Sequence, residues 1–329
     1  MKLRPTILLG GIVWAAFAWF AVPDIHHGAW VYAMLLLAAL VLVPLAFDLI
    51  EAEISGADAT KWQKNRRAIE CPAALLLVWS CWRDPDLWSG VLAAPWFLVC
   101  AWGALSGCWR LIAGKLPRSP GDLCINAALI FLGIGGGWTL IDRIGLRPLD
   151  FPDFIVTLTA VQFHFAGLLL PLVAGLTLRR FPQSFAASIA AIAVIMGVPA
   201  VAIGITATQL GYGPNAEVFS GALLSMGGAL VAVLQIRIAW VSGSTLFARA
   251  LFLVAGVSLL LGMSLAGIYA SRSLMLPLPW LDVPWMRALH GTANALGFGL
   301  CGLLAWRTAT RSPVINAGSF VSKNTLDVG

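Results

Sequence analysis

Charge is what this chain lacks. Only 11% of its 329 residues are charged, against roughly 25% in a soluble domain. Hydrophobic residues make up 60% and the mean hydropathy is +0.88. This scarcity excludes a soluble globular protein. Histidine is also rare, with four in all, and tyrosine rarer still, with three. The six cysteines (Cys71, Cys81, Cys100, Cys108, Cys124 and Cys301) form no CxxC or CxxH spacing. Each lies in or beside an apolar run, where a thiol behaves as a small hydrophobe. A zinc site and a disulfide framework are therefore not expected. The formal charge of +6 gathers into no patch or arm, which argues against a nucleic-acid partner.

Long apolar runs fill the space instead. A bilayer span needs about 20 apolar residues, and ten candidates run at 6–22, 29–47, 69–82, 88–112, 121–141, 154–178, 184–209, 216–239, 246–270 and 285–306. The third is short and flanked by Pro72 and Asp84-Pro85, and a surface helix near Trp62 is its expected beginning. The first span follows Met1-Lys2-Leu3-Arg4 as a secretory signal would. Its small-residue pair, Ala16 and Ala18, lies inside the apolar run, so it reads as an uncleaved span.

The basic residues order these spans. With the N-terminus inside, 16 of the 21 lysines and arginines fall on the inner side. Five (Arg83, Arg143, Arg147, Arg272 and Arg287) fall outside. Short inner loops carry such an excess, which predicts both termini cytoplasmic. Trp30, Trp82, Trp88, Trp138, Trp280 and Trp285 mark the outer ends, and Trp62, Trp109, Trp240 and Trp306 the inner ends. These belong at headgroup level. The expectation is an all-α transmembrane bundle over 1–311, multi-pass in a bacterial cytoplasmic (inner) membrane, with a disordered tail at 312–329. Asp48 to Glu70, the longest polar stretch, leaves no room for a soluble domain. No internal repeat is visible.

Polar residues at membrane depth are costly and read as functional candidates. In span six, Asp153, Thr157, Ala160 and His164 are spaced by four, three and four, sharing a helix face. His164 sits about 15 Å below the outer end by helix rise. Gln162 points elsewhere. In span ten His290 and Asn294 are four apart, about 9 Å and more from the outer end. Each histidine reads either as a neutral residue tying helices together or as an acid–base group. The outer half also collects Asp142, Asp150, Asp282 and Tyr269, and Glu217 opens span eight either as a solvated cap or as a proton relay. Together they suggest a pocket opening outward with His164 as its floor. Two intramembrane histidines also suit axial haem ligation, but their depths differ, so no cofactor and no metal are expected. Gly133-Ile-Gly-Gly-Gly137 follows no strand, sits within an apolar run and reads as a packing surface. Pro44, Pro95, Pro171 and Pro199 lie within spans and should kink them.

Phe163-His164-Phe-Ala-Gly167 and His290-Gly-x-x-Asn294-x-x-Gly-Phe298 resemble the YndJ-like family of bacterial multi-pass membrane proteins. Val41-Leu-Val-Pro-Leu45 is similar too. The resemblance implies a helical membrane protein with the two histidines as its hallmark. It transfers a site and no reaction.

Three functions compete. The first is an intramembrane cyclase or isomerase acting on a lipidic isoprenoid or polyketide-like substrate. There His164, His290 and Glu217 would be catalytic, while Asn294, Thr157, Asp153, Gln162 and Tyr269 bind substrate. The second is a proton-coupled transporter or permease, and the third a structural or assembly factor. The expected partners are a lipidic or amphipathic small molecule and membrane lipid, with no nucleic acid.

Overall fold

The computed structural model describes residues 3–53, 59–112, 119–241, 245–274 and 278–309. The expected tail at 312–329 and the Trp62 side chain lie outside the described residues. Ten helical stretches follow one another, and no strand occurs among the described residues. They are α1 Pro5–Ala21 and α3 Ala59–Cys81, with α2 Ala29–Ala52, α4 Leu87–Ile112, α5 Pro120–Ile144, α6 Asp153–Arg180, α7 Phe185–Gln209, α8 Asn215–Trp240, α9 Leu246–Ser273 and α10 Val283–Ala309. Eight of these are long and apolar enough to cross a membrane. The chain is a polytopic transmembrane helical bundle.

Apolar length placed most helix ends within a few residues. The exceptions are α2, which runs on past residue 47, and α3, which begins ten residues earlier than its apolar half. α3 is not one of the eight, yet it reaches from one end of the bundle to the other. Its early residue Arg66 pairs with Glu51 near the end of α2, and its late residue Ser80 bonds to Arg143 at the end of α5. These two contacts lie at opposite membrane faces, here called the N-terminal face (carrying Arg4) and the distal face.

Local signals fix the helix ends. Ser119 and Asp122 form a capping box that starts α5, satisfying amides that have no intrahelical partner. Gly145 ends α5 in the left-handed region, φ 84°, which glycine adopts without Cβ strain. Ser184 caps α7.

α2 is almost wholly enclosed and touches α1, α3, α6 and α10. α5 packs between α4 and α6, and α8 between α7 and α9. Small residues permit these approaches, as close packing without a hydrophobic drive requires. Gly133 lies on Ala104 and Gly136 on Cys100, so the glycine run is a packing surface.

Three spans widen into π-helix: α2 at Ala38–Leu42, α6 at Phe163–Leu169, and α10 at Arg287–Gly291 and Ala293–Cys301. Pro44 and Pro171 follow the first two within two residues. A proline has no N–H for the carbonyl four residues back and its ring crowds that carbonyl, and a wider turn relieves both. Pro95 and Pro199 lie inside helices that continue through them. The three short motif blocks of span two, span six and span ten all overlap or adjoin these widened segments.

Candidate functional site

His164 sits in the π-helical segment of α6, completely buried. Its Nδ1 lies 2.8 Å from the Ala160 carbonyl. A carbonyl can only accept, and here the imidazole shares it with the Phe163 N–H. This assigns the proton to Nδ1 and leaves Nε2 as an acceptor. The indole N–H of Trp96, on α4, donates to Nε2 at 3.2 Å. The two rings lie 19° from parallel with centroids 6.1 Å apart, and Cys100 Sγ is 3.9 Å from Nε2. Gly135 of α5 closes the other side: a Cβ there would stand 2.9 Å from Nδ1. Both ring nitrogens are engaged.

This corrects the expected outward-opening pocket. His164 is not the floor of a passage, because Thr157 above it is itself buried and donates to Asp142 Oδ1 at 2.7 Å. Asp153 lies at the surface in an ion pair with Arg147. Gln162 is half-buried and bonds to neither histidine.

His290, in the first π segment of α10, is half-buried. Its Nδ1 lies 2.8 Å from the Gly262 carbonyl of α9. A backbone carbonyl can only accept, so Nδ1 carries the proton and Nε2 presents its lone pair. The Asn294 amide nitrogen stands 3.2 Å from Nε2 and 3.3 Å from Nδ1. Asn294 lies flat on Gly262, where a Cβ would come within 2.6 Å of both amide atoms. Its Oδ1 is buried without a hydrogen-bond partner among the described residues. Thr292 receives the Trp30 indole N–H at 2.9 Å, pinning α10 to α2.

The two histidines therefore have separate partners among the described residues. His164 is held by α4 and α5, His290 by α9, and no described bond or ring contact links them. Glu217 and Tyr269 meet elsewhere: Arg272 donates to Glu217 at 2.9 Å and lies 4.1 Å over the Tyr269 ring. That group ties α8 to α9 at the distal face.

Sequence reasoning missed two charged clusters. At the distal face Arg143, fully buried, donates to Ser80 Oγ at 3.2 Å, to the Ser80 carbonyl at 2.9 Å and to Tyr32 Oη at 3.1 Å. Tyr32 in turn donates to Asp142 at 3.3 Å. At the N-terminal face Arg66 pairs with Glu51 and Glu70. Asp48 receives Arg307 at 2.7 Å and Arg4 at 3.2 Å. Both clusters look like ordinary loop charges in the sequence. One signal was available: charges four apart on a helix, such as Arg66 and Glu70, share a face. Trp96 and Cys100 carry the same spacing.

No metal-binding group of three or more histidine, cysteine or acidic side chains occurs among the described residues. Comparison with known proteins gives one family. The model for the YndJ-like protein family matches residues 33–298. The uncharacterized membrane protein YndJ of Bacillus subtilis (strain 168) is 26% identical over 286 residues, covering 85% of this chain and 49% of that protein. The chain thus spans about half the length of that curated relative. No solved structure matches it. The matched region runs from α2 into α10 and contains all three motif blocks, so the chain belongs to the YndJ-like family.

Proposed function

We propose that the protein is an intramembrane acid–base enzyme of the cyclase or isomerase class, acting on a lipidic amphiphile at the seam of α9 and α10. One observation carries this reading: the Gly262 carbonyl fixes the His290 tautomer at 2.8 Å, leaving Nε2 as a base beside the Asn294 amide. General bases are oriented in this way, through the hydrogen bond made by the other ring nitrogen. Nε2 takes a proton from the substrate and returns it at a second position, so the substrate is rearranged without net proton loss. Asn294 Oδ1, the acceptor without a partner, receives a substrate hydroxyl.

His164 has a different part. Completely buried, where His290 is only half-buried, it offers no atom to a substrate, and it acts as a pin between α4 and α6. Glu217, Tyr269, Asp153, Thr157 and Gln162 then serve structure. Both termini face the cytoplasm of a bacterial inner membrane, as the 16-to-5 charge asymmetry supports, which places His290 in the outer half.

A second reading, transport, is favoured by the π segments in α2, α6 and α10. Such widened turns recur at functional sites, and discontinuous helices serve transporters. Lipid extracts separate the readings. An enzyme predicts that a deletion strain accumulates a lipid that is converted on complementation, with His290→Ala failing to convert it at normal protein abundance. Identical lipids in all three strains would sink the enzyme reading.

A further inference from the structure

At the N-terminal face a small cleft opens between the start of α1, the end of α2 and the first turns of α3. Arg4, Thr6, Pro44, Arg67, Glu70 and Cys71 line it, with about 10 Å³ of enclosed space. That volume admits a single oxygen or water, so a larger group would insert one atom and rest at the mouth.

Among the described residues the positive charges around the cleft outnumber the negative ones. Arg4, Arg66, Arg67 and Arg307 face three carboxylates, Asp48, Glu51 and Glu70. Glu51 and Glu70 are covered, while Asp48 Oδ1, 3.2 Å from Arg4 Nε, is buried without a hydrogen-bond partner among the described residues. Glu70 is taken by Arg66 and by Arg4 at 3.3 Å, and Glu51 by Arg66 and by Arg67 at 2.7 Å. Asp48 is taken by Arg4 and Arg307. The donors are not all used. Arg4 engages Nε and Nη2, and Arg67 engages Nη2 alone. Arg4 Nη1, Arg67 Nε and Nη1, and the Thr6 hydroxyl have no partner among the described residues. Burial lowers the Arg4 pKa, the Asp48 carboxylate opposes that shift, and the nearby Arg67 charge adds to it. A negative group between the two guanidiniums would relieve this repulsion.

The surroundings indicate where that group comes from. Leu8, Leu9 and Ile12 of α1 are exposed immediately membrane-ward of the cleft, at 53%, 45% and 68%, where acyl chains run. Basic pockets between helices at a membrane face suit anionic headgroups, and arginine matches phosphate geometry in particular. We propose that this cleft binds the phosphate of an anionic lipid headgroup, held by Arg4, Arg67 and the Thr6 hydroxyl.

Arg67 is the residue to change, because its side chain is 44% exposed and its loss leaves the buried pairs in place. The full chain in neutral detergent is titrated with phosphatidylglycerol, phosphatidylcholine or sodium phosphate while its thermal unfolding is followed. Phosphatidylglycerol should raise the melting temperature, and Arg67→Gln should raise the half-saturating concentration about fivefold, the effect of one basic residue near a surface. Arg83→Gln, an exposed change on the distal face, should leave it unchanged. Equal stabilisation by sodium phosphate would replace the lipid with a soluble phosphate. Equal stabilisation by phosphatidylcholine, or equal losses in both variants, would overturn the site.

Discussion

The indole N–H of Trp96 meets Nε2 of His164 at 3.2 Å inside a fully buried contact between α4 and α6. Its other nitrogen is committed to its own helix, so this histidine is a structural joint. His164→Phe strands the Trp96 donor, and leaving a buried donor unmade costs about 1–3 kcal/mol. The variant should melt lower in detergent. A double-mutant cycle with Trp96→Phe should show positive coupling, since the second change removes the stranded donor. Strict additivity would contradict the joint.

Gly262→Ala tests the His290 arrangement from the opposite helix. The added methyl would stand 2.6 Å from the Asn294 amide, forcing Asn294 off His290. Activity in the lipid-extract assay should fall at least tenfold with abundance little changed, because exposed helix ends and both charged clusters are untouched. Full activity would mean that the amide contact is dispensable.

Arg66 lies at the centre of the N-terminal cluster with its side chain 2% exposed. Arg66→Met leaves Glu51 and Glu70 short of their cation. Breaking one partner out of a buried pair costs about 3–5 kcal/mol, so the variant should accumulate poorly and unfold early. The triple change that also makes Glu51→Gln and Glu70→Gln should recover much of that loss, since it removes the stranded charges. Normal melting of Arg66→Met would show the cluster to be solvated.

Asp86 gives a pH-dependent test in the loop before α4. The Ser89 amide donates to it at 2.5 Å, and this bond and the Ser89 hydroxyl lower its pKa below the ordinary aspartate value. A lowered folded pKa stabilises above the unfolded value and is lost as pH falls through the folded one. Asp86→Asn should therefore lower the melting temperature at neutral pH and narrow the difference from the parent below about pH 4. A difference that is the same at pH 3 and pH 7 would contradict this.

The bundle was legible because a span must be long and apolar, and that demand is written residue by residue. Eight helices meet it directly. α3 escaped in part because charges paired across helices, Arg66 and Glu70, lie in its first half. Hydropathy registers Arg66 and Glu70 as polar, yet pairing buries them. The same effect hid Asp48 and Glu51 at the end of α2, and Arg143 at the end of α5. Those partners are separated by as many as 259 residues, as in Arg307 and Asp48, and periodicity carries no information over that range. Both intramembrane histidines were found from rarity and depth. What each faces was not, because helical spacing places His164 on a face without naming Trp96 as its neighbour.

The claim that the two histidines differ is tested most directly by diethylpyrocarbonate, which carbethoxylates an unprotonated, reachable imidazole nitrogen. Membranes carrying the full chain are treated at neutral pH and the histidine peptides read by mass spectrometry. His290 should be modified, with loss of conversion in the lipid assay, while His164 stays unmodified until the protein is unfolded. Modification of His164 in the folded protein, with His290 untouched, would contradict the account.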